Sequence, residues 1–283
     1  MSTLYLVATP IGNLEDISAR ALRILGEVAL IAAEDTRHTG KLLAHFKIKT
    51  RQTSYYDHNE KSKLGQVLDA LANGDVALVS DAGSPGLNDP GYLLIRAALE
   101  AGHTVSPIPG PSAAIAALTV SGLPTDSFLY LGYLPRKANE RRRAIQHVAE
   151  LAYTLIWLES PHRLAAALAD LASELPARQI AVAGELTKMY EQVFRGSVEE
   201  AVAHFERQPA RGEYTLVLSG KIESDETWGE DEVLSAIQQH LNEGASPSSA
   251  ARQIAKQSGW PRRKVYDRIT NLHSQKATQE KSA

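Results

Sequence analysis

Short apolar runs alternate with amphipathic stretches along most of the chain, which predicts strands and helices in turn. Residues 4–9 form a β-like run that ends in Pro10-Ile11-Gly12-Asn13-Leu14. A helix-period segment follows, with Ala19, Leu22, Ile24 and Leu25 on its apolar side. Further strands are predicted over 28–33, 76–80 and 104–108, and helices over 36–46, 92–101 and 113–120. Ser112 is the predicted N-cap of the last helix, because its hydroxyl can satisfy an orphan backbone N–H. Strands that are apolar throughout predict a parallel or mixed sheet covered on both faces.

Gly122-Leu123-Pro124-Thr125-Asp126 breaks the pattern and marks a boundary. A second α/β set follows, with strands over 128–131, 154–158, 179–183, 191–195 and 213–218 and helices over 138–151, 162–175 and 198–207. Glu223-Ser224-Asp225-Glu226-Thr227 reads as a linker. Three short helices are predicted beyond it, over 231–241, 247–257 and 261–272. The last two are joined by Ser258-Gly259-Trp260, a tight connection like that of a helix-turn-helix. The polar stretch from Gln275 onward is expected to fray. The expected organisation is an α/β domain over 1–121, a second over 122–222 and a helical module over 226–283.

Composition narrows the classes. A chain of 283 residues suits two domains with a small appendage, and 43% hydrophobic with 22% charged residues excludes disorder, collagen and a pure coiled coil. A net charge of −3 excludes a globally basic nucleic-acid coat but leaves room for local patches. With no cysteine, disulfides, thiolate nucleophiles, zinc ribbons and iron–sulfur clusters are excluded. The histidines show no paired metal-ligand spacing, so no metal is expected. The first residues lack the basic start and apolar core of a signal peptide, and no apolar run approaches the roughly 18–20 residues that span a bilayer. A soluble cytoplasmic protein without a membrane partner is expected.

Ligands of α/β sheets bind beyond the carboxyl ends of the strands. Three corners at such ends are rich in Gly and Pro: Thr9-Pro10-Ile11-Gly12-Asn13, the segment 81–91, and Pro109-Gly110-Pro111-Ser112-Ala113. Small residues there let a ligand approach backbone N–H and C=O groups. Neither a P-loop nor G-x-G-x-x-G occurs. Ala82-Gly83-Ser84-Pro85-Gly86 resembles a nucleophile elbow, but the residue after the serine would have to donate its N–H to the oxyanion, and Pro85 has none. Ser84 is therefore read as a ligand-binding hydroxyl.

Together with Asp81-Ala82-Gly83-Ser84-Pro85-Gly86, the two other corners resemble those of the tetrapyrrole-methylase superfamily of S-adenosylmethionine enzymes. Glu34-Asp35-Thr36-Arg37-His38-Thr39, Glu159-Ser160-Pro161-His162-Arg163 and Gly184-Glu185-Leu186-Thr187-Lys188 resemble its branch of small-subunit ribosomal RNA methyltransferases. The resemblance covers about residues 3–272. It implies a two-domain α/β fold with the cofactor cleft between domains, S-adenosyl-L-methionine as donor, and commonly a homodimer. The implied reaction is 2′-O-methylation of a cytidine ribose in 16S rRNA, in the decoding-centre region, on free RNA or the assembled small subunit. The implied donor pocket falls on Pro10, Asp81, Gly83, Ser84, Ser112 and Ala113, with Leu158, Ala183 and Thr215 as a wall from the second domain. Asp-Ala-Gly-Ser-Pro stands where tetrapyrrole enzymes carry Gly-Asp-Pro, which argues against a tetrapyrrole substrate.

Methylating a ribose hydroxyl requires removal of its proton, and the segment Glu34-Asp35-Thr36-Arg37-His38 concentrates suitable groups. One reading is a solvated helix start with Asp35 serving the first-turn amides. The other has Arg37 clamping a phosphate or the target ribose while an acid, Glu34 or Asp35, or His38 takes the proton. Glu159 with Arg163, and Glu185 with Lys188, could pair within their own loops or face the substrate. For the RNA, two basic runs are candidates: Arg136, Arg141, Arg142 and Arg143 at a helix start, and Arg262, Arg263, Lys264 and Arg268 in the last helix. The target nucleotide should be splayed out, because a paired ribose cannot reach the donor. Two competing readings are a methylase of small cyclic molecules, which would not need phosphate anchors, and a non-enzymatic RNA-binding protein, which would not need three intact donor corners.

Overall fold

The computed structural model describes residues 2–208, 210–221 and 228–279. Five strands, β1 (Thr3–Val7), β2 (Leu30–Ala33), β3 (Gln52–Ser54), β4 (Val76–Val79) and β5 (Thr104–Ile108), form an all-parallel sheet in the order β3-β2-β4-β1-β5. β2 and β4 are buried at every position, as apolar runs without alternation require. Helices α1 (Ala19–Glu27) and α2 (Thr36–His45) cover one face, where Ile24, Leu25 and Leu43 pack on Val7, Ile31 and Val79. Helices α3 (Glu60–Asn73) and α4 (Tyr92–Glu100) cover the other, through Val67, Leu71 and Leu94 on Leu4, Leu30 and Leu78.

A second sheet contains β6 (Phe128–Tyr133), β7 (Thr154–Glu159), β8 (Gln179–Gly184), β9 (Gln192–Ser197) and β10 (Tyr214–Leu218), in the order β6-β7-β10-β8-β9. Only β6 and β7 run parallel; the remaining pairs are antiparallel. Its outer face carries α6 (Ala138–His147), α7 (Pro161–Glu174) and α8 (Val198–Arg207). α8 is started by a capping box between Ser197 and Glu200, and α7 by Pro161 in its first turn. Helix α5 (Ala113–Ser121) packs Ala117 and Leu118 against Ile156, Ala181 and Val217 on the other face.

The chain divides into two compact units, Met1–Lys221 and Ile222–Ala283. The first holds both sheets, so the boundary expected at residues 121 and 122 lies inside one body, between α5 and β6. In the second unit, α9 (Glu230–Asn242), α10 (Pro247–Ser258) and α11 (Arg262–Gln279) enclose Val233, Ile237, Ile254, Val265 and Ile269. Gly259, at φ 68°, ends α10 and supplies the tight connection expected there. The α11 helix runs on to Gln279 instead of ending at Leu272, so the fraying expected from Gln275 is not where the helix stops. The linker expected over 223–227 lies outside the described residues. Among the described residues no helix is long and apolar enough to cross a membrane.

Candidate active site

The three Gly- and Pro-rich corners meet. Thr9 and Gly83 form a two-way bridge, with Thr9 N–H donating to the Gly83 carbonyl at 2.9 Å and Gly83 N–H to the Thr9 carbonyl at 3.0 Å. The Thr9 hydroxyl donates to the Ser80 carbonyl at 3.1 Å, and Ala8 N–H reaches the Ile108 carbonyl at 3.3 Å. Gly83 has φ +79°, a conformation glycine adopts freely, and Gly110 packs so closely that a Cβ would lie 3.0 Å from that of Ala8. These bonds lock the carboxyl ends of β1, β4 and β5 into one rim.

The opposite wall comes from the second sheet. Thr215 on β10 pairs with Leu158 on β7 on one side and with Ala183 on β8 on the other. The three residues expected there therefore form one row across three strands. On β6 a register shift between Tyr130 and Tyr133, with Gly132 at φ +64°, turns both tyrosines toward the same space. Three residues apart, they would face opposite sides of a regular strand.

Rim and wall enclose a cavity of about 540 Å³, which falls within the roughly 300–1,000 Å³ of small-molecule sites. Asp81, Gly83, Ser84, Ser112, Ala113, Leu158, Ala183 and Thr215 all line it. Pro10 does not; it borders an adjoining space of about 120 Å³ with His38, Lys41 and Asp81. Ser112 stands at the N-cap position of α5 but its side chain makes no capping bond, contrary to expectation, and it borders the cavity instead. Sequence reasoning missed Asp89, Tyr130 and Tyr133. Asp89 sits in a stretch that reads as a turn, Asn88-Asp89-Pro90-Gly91, and no periodicity marks a β-bulge in advance.

The cavity wall is acidic. Glu34, Asp81, Asp89, Glu159, Glu185 and Glu213 line it, against Lys188. Glu159, side chain fully buried, pairs with Arg163 at 3.2 Å, and Glu185 pairs with Lys188 at 2.8 Å. Both pairs close within their own loops while their acids still border the cavity. Burial pushes the Glu34 carboxyl up, and the charges of Asp89, Asp81 and Asp57 add to this; the Asp81 N–H, which donates to Glu34 at 3.2 Å, opposes it. Asp81 in turn accepts the Asp35 N–H at 3.1 Å and stands 3.9 Å from His38 Nδ1.

Of the three expected catalytic residues, Glu34 alone lines the main cavity. Arg37 projects into solvent, its side chain 87% exposed, and grips Asp35 through two bonds of 2.6 and 3.0 Å. Asp35 also accepts the Arg37 N–H at 2.8 Å, so this stretch does act as a helix start, as the plainer reading had it. His38 borders the adjoining space. Among the described residues no group of three or more His, Asp or Glu is placed to hold a metal ion.

The family model of tetrapyrrole (corrin/porphyrin) methylases matches residues 3–202. The chain belongs to that family. It is 45% identical over 270 residues to the ribosomal RNA small subunit methyltransferase I of Halalkalibacterium halodurans, covering 94% of this chain and 93% of that protein. It is 46% identical over 277 residues to the protein of the same name from Synechocystis sp., covering 97% and 99%. Its fold is similar to that of uroporphyrin-III C-methyltransferase from Thermus thermophilus complexed with S-adenosylhomocysteine, with a TM-score of 0.54 at 20% identity, covering 78% of this chain and 98% of that one. A diphthine synthase shares the fold at a TM-score of 0.56 and 16% identity, covering 78% and 90%. Tetrapyrrole methylases use S-adenosylmethionine as methyl donor, and the acidic, glycine-cornered cavity fits a ligand with a cationic sulfur.

Within this methylase the two basic runs are unequal. Arg141, expected to bind RNA, is buried: it is bonded to Asp170 at 2.5 and 2.7 Å and to the carbonyls of Pro135 and Arg136. It is held inside the fold and is not open to a phosphate. Arg142 shares Asp170 at 2.7 Å but stays half exposed, while Arg136 and Arg143 are exposed. In the second unit Arg262, Arg263, Lys264 and Arg268 are all exposed; Arg262 donates to Ser248 at 3.1 Å and Arg268 pairs with Glu230.

Proposed function

We propose that the protein is an S-adenosylmethionine-dependent methyltransferase that methylates the ribose 2′-oxygen of a cytidine in 16S rRNA, in the decoding-centre region, on the free RNA or the assembled small subunit. One observation carries this reading: the donor corners of the first sheet and the Leu158–Thr215–Ala183 row of the second converge on one cavity. The length and identity of the match to ribosomal RNA small subunit methyltransferases I support the choice of substrate.

In this reading Gly83, Ser84, Ser112 and Ala113 hold the donor from one side and Leu158, Ala183 and Thr215 from the other. When bound, the donor supplies a methyl group already activated by its positive sulfur. The protein orients the accepting hydroxyl against it, and such positioning contributes up to about 7–11 kcal/mol to a barrier. The acidic wall favours a cation over its neutral product. Tyr130 and Tyr133 border the space where water must be kept out. Arg136, Arg142, Arg143 and Arg37 lie outside the cavity as phosphate contacts, with Arg262, Arg263, Lys264 and Arg268 as a second set. The same resemblance implies a homodimer, for which exposed Leu87, Tyr92 and Leu99 offer apolar area.

Transfer of labelled methyl to small-subunit RNA, followed by alkaline hydrolysis, tests the reading. A 2′-O-methyl group blocks alkaline cleavage, so the label should appear in an alkali-stable dinucleotide. Label released in a mononucleotide would place the methyl on a base and refute the ribose assignment.

A further inference from the structure

Ribose methylation needs a group that takes the hydroxyl proton, and the carboxylates around the cavity differ in how far they are already engaged. Glu159 and Glu185 have cationic partners, Asp81 accepts the Asp35 amide and faces His38, Glu34 accepts the Asp81 amide, and Glu213, which also lines the cavity, is exposed to solvent whereas Asp89 is half-buried. Asp89 lines the same cavity, and among the described residues neither a cation nor a backbone amide bonds to its carboxylate.

The loop around Asp89 is shaped to present it. Gly86, Asn88 and Gly91 have φ of +83°, +62° and +146°, and a Cβ at Gly91 would lie 2.7 Å from Leu78. Pro85 and Pro90 are buried on either side. The Asn88 amide lies against Gly132 of β6 so closely that no Cβ would fit between them. The loop thus reaches from the first sheet to the second and sets Asp89 where Tyr130 and Tyr133 feel its charge.

We propose that Asp89 is the proton acceptor of the methyl transfer. Its carboxylate takes the proton of the 2′-hydroxyl as an oxygen lone pair forms the O–CH3 bond. The electron pair of the broken C–S bond stays on sulfur, so the donor leaves as neutral S-adenosylhomocysteine, and protonated Asp89 returns its proton to water. Burial makes this carboxyl a stronger base than usual, the Ser80 hydroxyl opposes that, and the charges of Asp81, Asp57 and Glu213 reinforce it; Glu34 lies in the same field. The inference rests on the ribose reading.

The test compares wild type, Asp89→Asn and Glu34→Gln in single-turnover methyl transfer at saturating donor, with donor Kd from calorimetry and nucleoside mass spectrometry of the product. Asp89→Asn should still bind donor saturably, with at most a modest rise in Kd from the lost wall charge, yet lose about 10²–10⁴-fold in rate at saturating donor, the contribution of a positioned base. The wild-type rate should rise with pH across the titration of a carboxyl whose pKa is raised. An Asp89→Asn rate equal to wild type, or a deficit confined to donor Kd, overturns the proposal. If Asp89→Asn shows no cooperative melt, Asp89→Glu carries the test: it should keep the pH dependence at a lower rate, and a pH-independent rate refutes the role. A wild type that makes no ribose-methylated nucleoside removes the ribose reading and this inference with it, whereas ribose methylation by wild type and Asp89→Asn alike removes the inference alone.

Discussion

Asp170→Ala should unfold the first unit far below the wild-type temperature. Asp170 lies on α7 with its side chain 6% exposed, and it neutralises Arg141, 7% exposed, and one edge of Arg142. Burial by itself would raise this carboxyl, but hydrogen bonds from Arg142 and Arg141 outweigh it and hold the pKa below its ordinary value. Removing the acid leaves the Arg141 guanidinium buried with only the Pro135 and Arg136 carbonyls, at 3.4 and 3.3 Å. Breaking a buried pair in this way costs about 3–5 kcal/mol. At about 2–4 °C per kcal/mol for a body of this size, the melting temperature should fall by roughly 6–20 °C. A carboxyl with a depressed pKa contributes stability that is present above its unfolded value and lost as pH falls. The gap between variant and wild type should therefore narrow below about pH 4. Differential scanning calorimetry at neutral and acid pH reads both effects. A variant within about 1 kcal/mol of wild type at neutral pH would refute the assignment of Arg141 to the fold, since an exposed ion pair contributes about that little.

Arg143→Ala, by contrast, should leave melting unchanged and weaken RNA binding with a smaller salt slope, as a filter-binding salt titration would show. Deleting residues 226–283 should likewise lower RNA affinity and salt slope; full activity of the truncated chain on assembled subunits would reject a positioning role for that unit. Gly132→Ala should displace Asn88, because no Cβ fits between them, slow methyl transfer, and lower the melting temperature by a few degrees, since alanine is strained at φ +64°. Glu34→Gln removes a carboxylate that burial makes costly to ionise. Because the folded pKa is raised, wild-type stability falls as pH rises from the unfolded carboxyl range through the folded value, so the variant should gain on wild type across that window in urea melts.

Continuous apolar runs located β1, β2, β4 and β5, and the Gly and Pro corners located the rim, because both depend on local chemistry. β3 went unseen: Gln52-Thr53-Ser54 is short and polar, and pairing with β2 alone makes it a strand. α3 went unread as well, although the spacing of Leu64, Val67, Leu68 and Leu71 marks it. The predicted strand over 191–195 extends as β9 to Ser197, where the capping box begins the next helix. Arg141 shows the limit of reading charge runs, since its neighbours in sequence are exposed and only the packing of α6 on α7 buries it. Tyr130, Tyr133 and Asp89 depend on a bulge and on left-handed loop positions, which single residue types do not announce.

Calorimetric titration of S-adenosylmethionine into wild type and Ala113→Trp tests most directly whether the joined corners hold the donor. The account predicts saturable binding by wild type and none by Ala113→Trp, with RNA affinity and melting retained. Equal donor affinity in the two proteins would contradict it.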